Sequence, residues 1–352
     1  MPKRKKHKCV SPARLALVLA VAVLLPGCGL FRTKSRVTVP QLLRPLVEAN
    51  EAQMFAEINR MSEVRAINGR IDFQFLDTSF AECGLADLYR TAEGRVVVQR
   101  PGQVYVLVEF LGVNIAEMSS NGQKFWAALY KGDDKYRRFV TGTNSANYER
   151  LDANGAAAGT SAPDCSGKGK RREEAMQRAT VSALSSLRPQ HFTDALLVPA
   201  ASPSDPNRLY TVTEIFEEEP DRREGAARGA RIVRGYYLLS ELEPQTAGRA
   251  RILRRFWFDR VGALRLARVQ TYGERGRLVT DVVYSKPQAF GEGGARRLPA
   301  EVELTRPQDH YSLRVTFQDP GAVEIDKPLQ DDAFVLKNSN GLQEVDLDAP
   351  KK

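Results

Sequence analysis

Residues 251–272 read RILRRFWFDRVGALRLARVQTY, and this stretch decides the fold. Apolar and polar side chains alternate on both sides of Val261-Gly262, in Phe256-Trp257-Phe258 before it and in Leu264-Arg265-Leu266 after it. A period of two places apolar residues on one face of a strand and polar residues on the other. Two such runs around a turn predict an antiparallel pair with one face on a core and an arginine-bearing face in water.

The same pattern extends in both directions from this pair. Towards the N-terminus, Ile71, Phe73 and Phe75 alternate with polar residues, and Asn121-Gly122 is a strong hairpin signal. Pro101-Gly102 predicts a turn. The next segment, 103–118, reads as one long apolar strand in which Gly112 marks a bulge or bend, and Glu93-Gly94 reads as a turn inside the preceding segment. Strand signals resume over 209–318, with turn residues in every gap.

Helical patterns are few. Pro40 is expected to open an amphipathic helix whose apolar stripe is Leu43, Val47, Met54, Ile58 and Met61. A second helix is expected over about 171–187, and residues 191–198 form a short apolar piece with helical character. With about eleven strands and two or three helices, the chain belongs to the mainly β (α+β) class. So many successive strands must form a sandwich or curl into a barrel, and the helices must bury their stripes on the sheet.

The N-terminus predicts a lipoprotein signal peptide. Cations crowd the first eight residues, and an apolar run of about eleven residues follows over 15–25, too short to span a membrane. Leu25-Pro26-Gly27-Cys28 resembles the lipobox of bacterial lipoproteins, in which the cysteine takes a diacylglycerol and the signal is cut just before it. We therefore expect residues 1–27 to be removed and Cys28 to carry the lipid that holds the protein on a membrane.

Removal of the signal changes the charge and cysteine balance. The formal charge of +9 falls to +3, because six cations and no acids lie in the signal, and a domain this weakly basic does not indicate nucleic acid. Cys83 and Cys165 remain besides Cys28, and either a Cys83–Cys165 disulfide or two unpaired thiols fit an envelope protein. We expect a tether over 28–39, one domain over 40–340 with a flexible loop at 142–170, and a polar C-terminal tail over 341–352.

Signals of catalysis are weak. His191 and His310 are the histidines left after maturation, and no HExxH, P-loop or GxSxG motif occurs. The sequence predicts no enzyme, no metal and no cofactor. Arginines recur at 251, 254, 255, 265, 268, 275 and 277. They indicate the solvent-exposed face of the sheet, and contact with acidic lipid headgroups is the alternative.

The order of several motifs resembles the outer-membrane lipoprotein-sorting (LolA/LolB-like) family. The lipobox and first helix precede Val64-Arg65-Ala66-Ile67-Asn68-Gly69, then the Arg100-Pro101 turn, then Asn121-Gly122 with Trp126. In the second half, Leu298-Pro299 and Phe334 fit the later strands of the family. The resemblance covers roughly 40–340 and implies a half-open antiparallel β-barrel with helices across its mouth.

The resemblance also implies a function. Members carry lipoproteins, accept them at the outer membrane or bind other lipids, in an apolar cavity between sheet and helices. Anchored acceptors carry an exposed leucine in a loop between two early strands, and the tight Asn121-Gly122 turn has none. We expect this protein to bind acyl chains of lipids or lipoproteins at the periplasmic face of the outer membrane, with a periplasmic carrier protein as a further partner. The alternative is a non-enzymatic structural or assembly lipoprotein that acts through its surface.

The candidate cavity lining comes from the apolar faces of these strands and of the first helix. A packed core without a cavity is the alternative explanation of the same pattern. The candidates are Leu43, Val47, Met54, Ile58, Val106, Val108, Phe110, Trp126, Phe256, Phe258, Leu264 and Leu266.

Overall fold

The computed structural model describes residues 39–83, 86–88, 91–131, 137–146, 187–223, 225–294 and 296–349. A boundary between two compact units falls after Gln41, and the description below concerns the unit that starts at Leu42. The signal peptide, Cys28, Cys165 and the predicted helix over 171–187 lie outside the described residues, apart from Leu187.

One large, open antiparallel sheet dominates the described residues. Its longer strands are hydrogen-bonded in the order β9-β10-β11-β12-β13-β14-β15-β2-β4-β5-β6-β7-β8. The strands are β1 Gln41–Leu42, β2 Ala66–Asp77, β3 Asp87–Leu88, β4 Ala92–Gln99, β5 Gln103–Phe110, β6 Val113–Asn121, β7 Lys124–Leu129, β8 Arg138–Thr143, β9 Leu209–Pro220, β10 Arg231–Pro244, β11 Ala250–Asp259, β12 Arg265–Tyr272, β13 Leu278–Phe290, β14 Arg296–Arg306, β15 Tyr311–Phe317, β16 Glu324–Ile325 and β17 Gln343–Asp346. The mainly β prediction is confirmed, and the described strands outnumber the roughly eleven expected.

Strand β2 joins the two halves of the sheet. Its Ile71, Phe73 and Phe75 are buried while the residues between them are half-buried, as the alternation predicted. It pairs with β4 on one edge and with β15 on the other. The apolar residues of both halves therefore meet in one continuous core.

Two described helices cover the core face. Helix α1 (Glu51–Ser62) buries Met54, Phe55, Ile58 and Met61 in that core, and helix α2 (Gln190–Leu196) buries its own apolar residues there. No helix within the described residues combines the length and the apolar character that crossing a bilayer requires.

The first helix begins later than predicted. Asn50 is its N-cap and exchanges a capping-box pair of hydrogen bonds with Gln53, so Leu43 and Val47 lie in extended chain before it. There the Leu43 N–H donates to the Val233 carbonyl and the Val47 N–H to the Arg260 carbonyl. Leu43 and Val47 thus match the helical spacing of the α1 residues by chance, without belonging to the helix.

A buried arginine fastens this extended segment. The Arg260 side chain is 2% exposed and donates to the Val47 carbonyl and to the carboxylates of Glu48 and Glu214. Its guanidinium also lies 4.2 Å from the centroid of the Tyr237 ring. These contacts hold residues 43–50 on the sheet instead of in a longer helix.

Two turns fall elsewhere than the sequence indicated. Residues 103–118 are not one bent strand, because Leu111 (φ 50°) and Gly112 (φ 74°) form a two-residue turn between β5 and β6. Gly94 is not in a turn but in the middle of β4, where a Cβ would lie 2.1 Å from the Leu107 carbonyl oxygen. The close approach of the β5 backbone explains why position 94 is a glycine.

The C-terminal segment also differs from the prediction. Residues 341–352 were expected to form a polar tail, yet β17 pairs in parallel with β8. Leu342 is buried against Ala128 and Phe139. Within the expected 142–170 loop, Gly142 and Thr143 belong to β8, and residues 147–170 lie outside the described residues.

Candidate functional site

The sheet splits between β12 and β13. These strands pair only from Arg268 to Tyr272 and from Leu278 to Val283. Before Arg268, β12 pairs with β11 alone, and after Val283, β13 pairs with β14 alone. The two strands therefore diverge and leave an opening through the sheet.

A groove of about 1200 Å³ occupies this opening, and we call it the split groove. It is larger than the roughly 300–1,000 Å³ of a typical small-molecule site. Its lining comes from α1, β9–β14 and the adjoining loops. The lining residues are Glu57, Arg60, Met61, Glu217, Glu219, Pro220, Arg222, Arg223, Arg234, Tyr236, Trp257, Asp259, Ala263, Leu264, Arg265, Leu266, Ala267, Arg268, Val283, Tyr284, Ser285, Lys286, Pro287, Arg296, Arg297, Pro299 and Glu301.

Helix α1 bridges the two sides of the split. The Leu266 N–H on β12 donates to Glu57 Oε1 at 3.2 Å. Arg60 donates to Glu57 at 2.7 Å and to the Arg297 carbonyl on β14 at 2.8 Å. The helix thus satisfies the Leu266 N–H, which lies where β12 no longer pairs with β13.

The floor of the groove is apolar and aromatic. Leu264 and Met61 contribute aliphatic surface, and Trp257 lies with its ring edge against Tyr236 at a centroid distance of 5.7 Å. Arg268 covers the other side of that indole at 4.9 Å while it pairs with Asp281. Such a mixed aromatic and arginine surface offers both packing area and charge to an amphiphilic molecule.

Ion pairs fix most of the charged rim. Arg234 donates to Glu219 at 2.6 Å and to Asp259 at 2.8 Å. Burial raises the pKa of the Glu301 carboxyl, but hydrogen bonds from Lys286 and then Ser285 outweigh it and hold that pKa below its ordinary value. Glu301 therefore stays ionised at neutral pH.

The structure brings only two of the predicted cavity residues to the groove. Leu264 and Leu266 line it, and Leu43 and Val47 are half-buried in the extended segment. The remaining candidates from α1 and the strands belong to the continuous packed core: Met54, Ile58, Val106, Val108, Phe256 and Phe258.

Two candidates are placed elsewhere. Trp126 packs on the separate small cluster around Phe139 and Leu342. Phe110 is 41% exposed at the end of β5, and with Leu111 at 88% and Val113 at 46% it forms an apolar tip on the β5–β6 hairpin. Phe110 thus lies at this tip and does not line the split groove.

The arginines that line the groove come from distant segments, so the sequence did not reveal them as a set. Cys83 is disulfide-bonded. Since Cys165 lies outside the described residues, its pairing with Cys83 stays a prediction.

Comparisons with known proteins give structural likenesses. No family model matches the chain, and no curated protein matches it. A DUF1329 family protein from Desulfovibrio piger is similar at 12% identity, with 83% of this chain and 97% of that one covered and a TM-score of 0.38.

Two further solved structures carry the family name indicated by the sequence resemblance. A LolA superfamily protein from Nitrosomonas europaea shares 12% identity over 82% of this chain and 99% of its own, with a TM-score of 0.35. A domain from Vibrio parahaemolyticus described as an outer membrane lipoprotein-sorting protein shares 12% identity over 82% and 97%, with a TM-score of 0.37. The strand pairing, and not these likenesses, establishes that the fold is an open sheet with few helices. The function is inferred from the groove.

Proposed function

We propose that this protein is a lipid-anchored envelope protein that binds the acyl chains of lipids or lipoproteins in the split groove. It takes part in lipoprotein sorting or lipid transport to the outer membrane. It holds cargo without chemical change, so it is not an enzyme.

The observation that carries the proposal is the groove at the divergence of β12 and β13. Its apolar floor includes Leu264 and Trp257, and it is bounded by α1. Acyl chains have no hydrogen-bonding groups, so they require apolar contact area and a long opening rather than a precise set of polar partners. The groove provides both, together with a polar rim for the end of the molecule that stays in water.

The apolar tip of the β5–β6 hairpin supports membrane contact. Phe110, Leu111 and Val113 present large apolar side chains at a turn, where soluble proteins favour polar residues. The exposed leucine that the Asn121-Gly122 turn lacks is therefore found one hairpin earlier. In the proposal this tip enters the membrane surface while Cys28 anchors the chain and a periplasmic carrier delivers cargo.

Native mass spectrometry tests the proposal. The mature chain (residues 28–352) with Cys28→Ser, which prevents its own lipidation, is incubated with phosphatidylcholine vesicles and sprayed intact. We expect a population with one bound lipid, and Leu264→Glu to reduce it about tenfold, since burying a leucine is worth roughly 1.5–3 kcal/mol.

Leu329→Glu is the matched control, since this leucine is 39% exposed and does not line the groove. It is expected to bind lipid as the parent does. A parent protein that takes up no lipid would contradict the proposal.

The second candidate is a structural or assembly lipoprotein that acts through its surface. It is favoured by the tight core, in which six of the predicted cavity residues are buried without adjoining the groove. Absence of lipid uptake, with the fold intact by circular dichroism, would support it.

A further inference from the structure

We infer that the split groove selects an anionic phospholipid, with Arg222, Arg265 and Arg297 binding its phosphate. This inference rests on the proposed function and names the class of lipid that the groove prefers. It follows from how the charges of the lining are paired.

The lining is rich in cations, and most of them are committed to carboxylates. Nine cationic side chains face five carboxylates among the lining residues. Arg60 pairs with Glu57, Arg234 with Glu219, and Lys286 with Glu301. The lining arginines Arg223, Arg268 and Arg296 pair with acids beside the groove: Asp221, Asp281, Glu63 and Asp326.

Three arginines keep donors available. Within the described part of the chain, Arg222 and Arg297 are exposed and have no carboxylate at ion-pair distance. Arg265 reaches Asp259 only at 3.4 Å, and Asp259 already accepts from Arg234 at 2.8 Å. Glu217 is the lining carboxylate without an ion pair in the described residues, so arginines with available donors outnumber unpaired carboxylates in the lining.

The positions of these arginines fit a headgroup above acyl chains. Arg265 lines the groove beside Asp259, with its guanidinium 3.4 Å from that carboxylate. Arg297 is on β14 across the split, where its carbonyl accepts from Arg60. Guanidinium groups bind phosphate in a bidentate manner, and a phosphodiester in the groove would accept from the donors that these arginines leave available.

A competition experiment tests the selectivity. The mature chain (residues 28–352) with Cys28→Ser is offered phosphatidylglycerol and phosphatidylcholine with identical acyl chains in mixed vesicles, and bound lipid is counted by native mass spectrometry. We expect a preference of about tenfold for phosphatidylglycerol. The double variant Arg265→Gln/Arg297→Gln is expected to bind both lipids equally.

The control Arg249→Gln/Arg277→Gln removes the same charge from exposed arginines outside the lining and is expected to keep the preference. Arg222→Gln, at an exposed site, is the second test if the double variant fails to fold, and it is expected to reduce the preference.

The outcomes separate the two proposals. Equal binding of both lipids by the parent overturns the selectivity and leaves acyl-chain binding intact, whereas no binding of either lipid overturns the proposed function. Inorganic phosphate is added as a competitor, and we expect it to leave phosphatidylglycerol bound. Displacement by phosphate alone would show a site for the free anion and would overturn the lipid assignment.

Discussion

His191 is a buried histidine whose ring is held on one side by two donors. The Tyr311 hydroxyl lies 2.5 Å from Nδ1, and the Arg188 N–H donates to the same nitrogen at 3.3 Å. Because Nδ1 accepts from the backbone, the ring is neutral with its proton on Nε2. Burial, and then Arg306 and Arg188, lower its pKa well below the ordinary 6.5.

This burial predicts a pH dependence of stability. The unfolded chain takes up a proton near pH 6.5 and the folded chain does not, so the free energy of unfolding falls as the pH is lowered through 6.5. We expect a loss of up to about 1.4 kcal/mol per pH unit from this group. Denaturant unfolding between pH 7.5 and 5.5 measures it.

His191→Asn is the informative variant, because an amide oxygen still accepts from Tyr311 but cannot be protonated in this range. We expect its stability to change less with pH than that of the parent. Identical slopes in the two proteins would show that His191 does not contribute.

At the scale of elements, the β5–β6 hairpin makes a prediction about membrane binding. Leu111→Ser removes the most exposed apolar side chain of the tip without disturbing the core. We expect vesicle binding of the mature chain (residues 28–352) with Cys28→Ser to weaken roughly tenfold, since most of the transfer free energy of a leucine is lost. Vesicle flotation measures the binding.

The matched control for this hairpin is Leu209→Ser, since Leu209 is 50% exposed at the start of β9. It is expected to float as the parent does. Equal loss in both variants would assign the effect to general surface hydrophobicity instead of the tip.

Local patterns predicted elements well and their boundaries less well. The strand β2 was predicted from the alternation of Ile71, Phe73 and Phe75, and the β6–β7 turn from Asn121-Gly122. Both predictions were correct because alternation and turn chemistry are encoded within a few residues. The helix start was wrong because the stripe through Leu43 and Val47 continues by chance, while Asn50 fixes the cap. Gly94 was read as a turn because backbone approach is invisible in sequence.

The groove could not be predicted from the sequence for a different reason. Its existence depends on where β12 stops pairing with β13, and that register follows from how both strands pack on other neighbours. The recurring arginines around Arg265 were visible in the sequence. Arg222 and Arg297 are distant in sequence, and only the fold brings them to the same groove. Candidate residues chosen for apolar character therefore described the core better than the site.

At the scale of the whole molecule, the shared core predicts cooperative unfolding. Strand β2 pairs with both halves of the sheet, so neither half has a complete core of its own. The chain has two tryptophans, Trp126 on β7 in one half and Trp257 on β11 in the other. Trp257→Phe and Trp126→Phe thus leave one fluorescent reporter in each half.

We expect the two single-tryptophan variants to show transitions that coincide with their own far-ultraviolet circular dichroism in guanidinium chloride. Conservative aromatic replacements keep most of the packing, so any offset between variants belongs to the substitution and not to the reporter. A fluorescence transition that precedes the circular dichroism transition in either variant would mean that the half it reports on unfolds alone.

The position of β2 also sets the order of events in time. Its Gln74 accepts from Arg314 of β15, which is synthesised 240 residues later. During synthesis β2 can pair with β4 soon after both emerge, but its other edge stays open until almost the whole chain has followed. Contacts between segments so far apart in sequence are slow to form, and an open strand edge favours aggregation. The central strand β2 therefore stays unpaired on one edge for most of synthesis. A chaperone that shields unfolded chains is most useful before β15 has been synthesised.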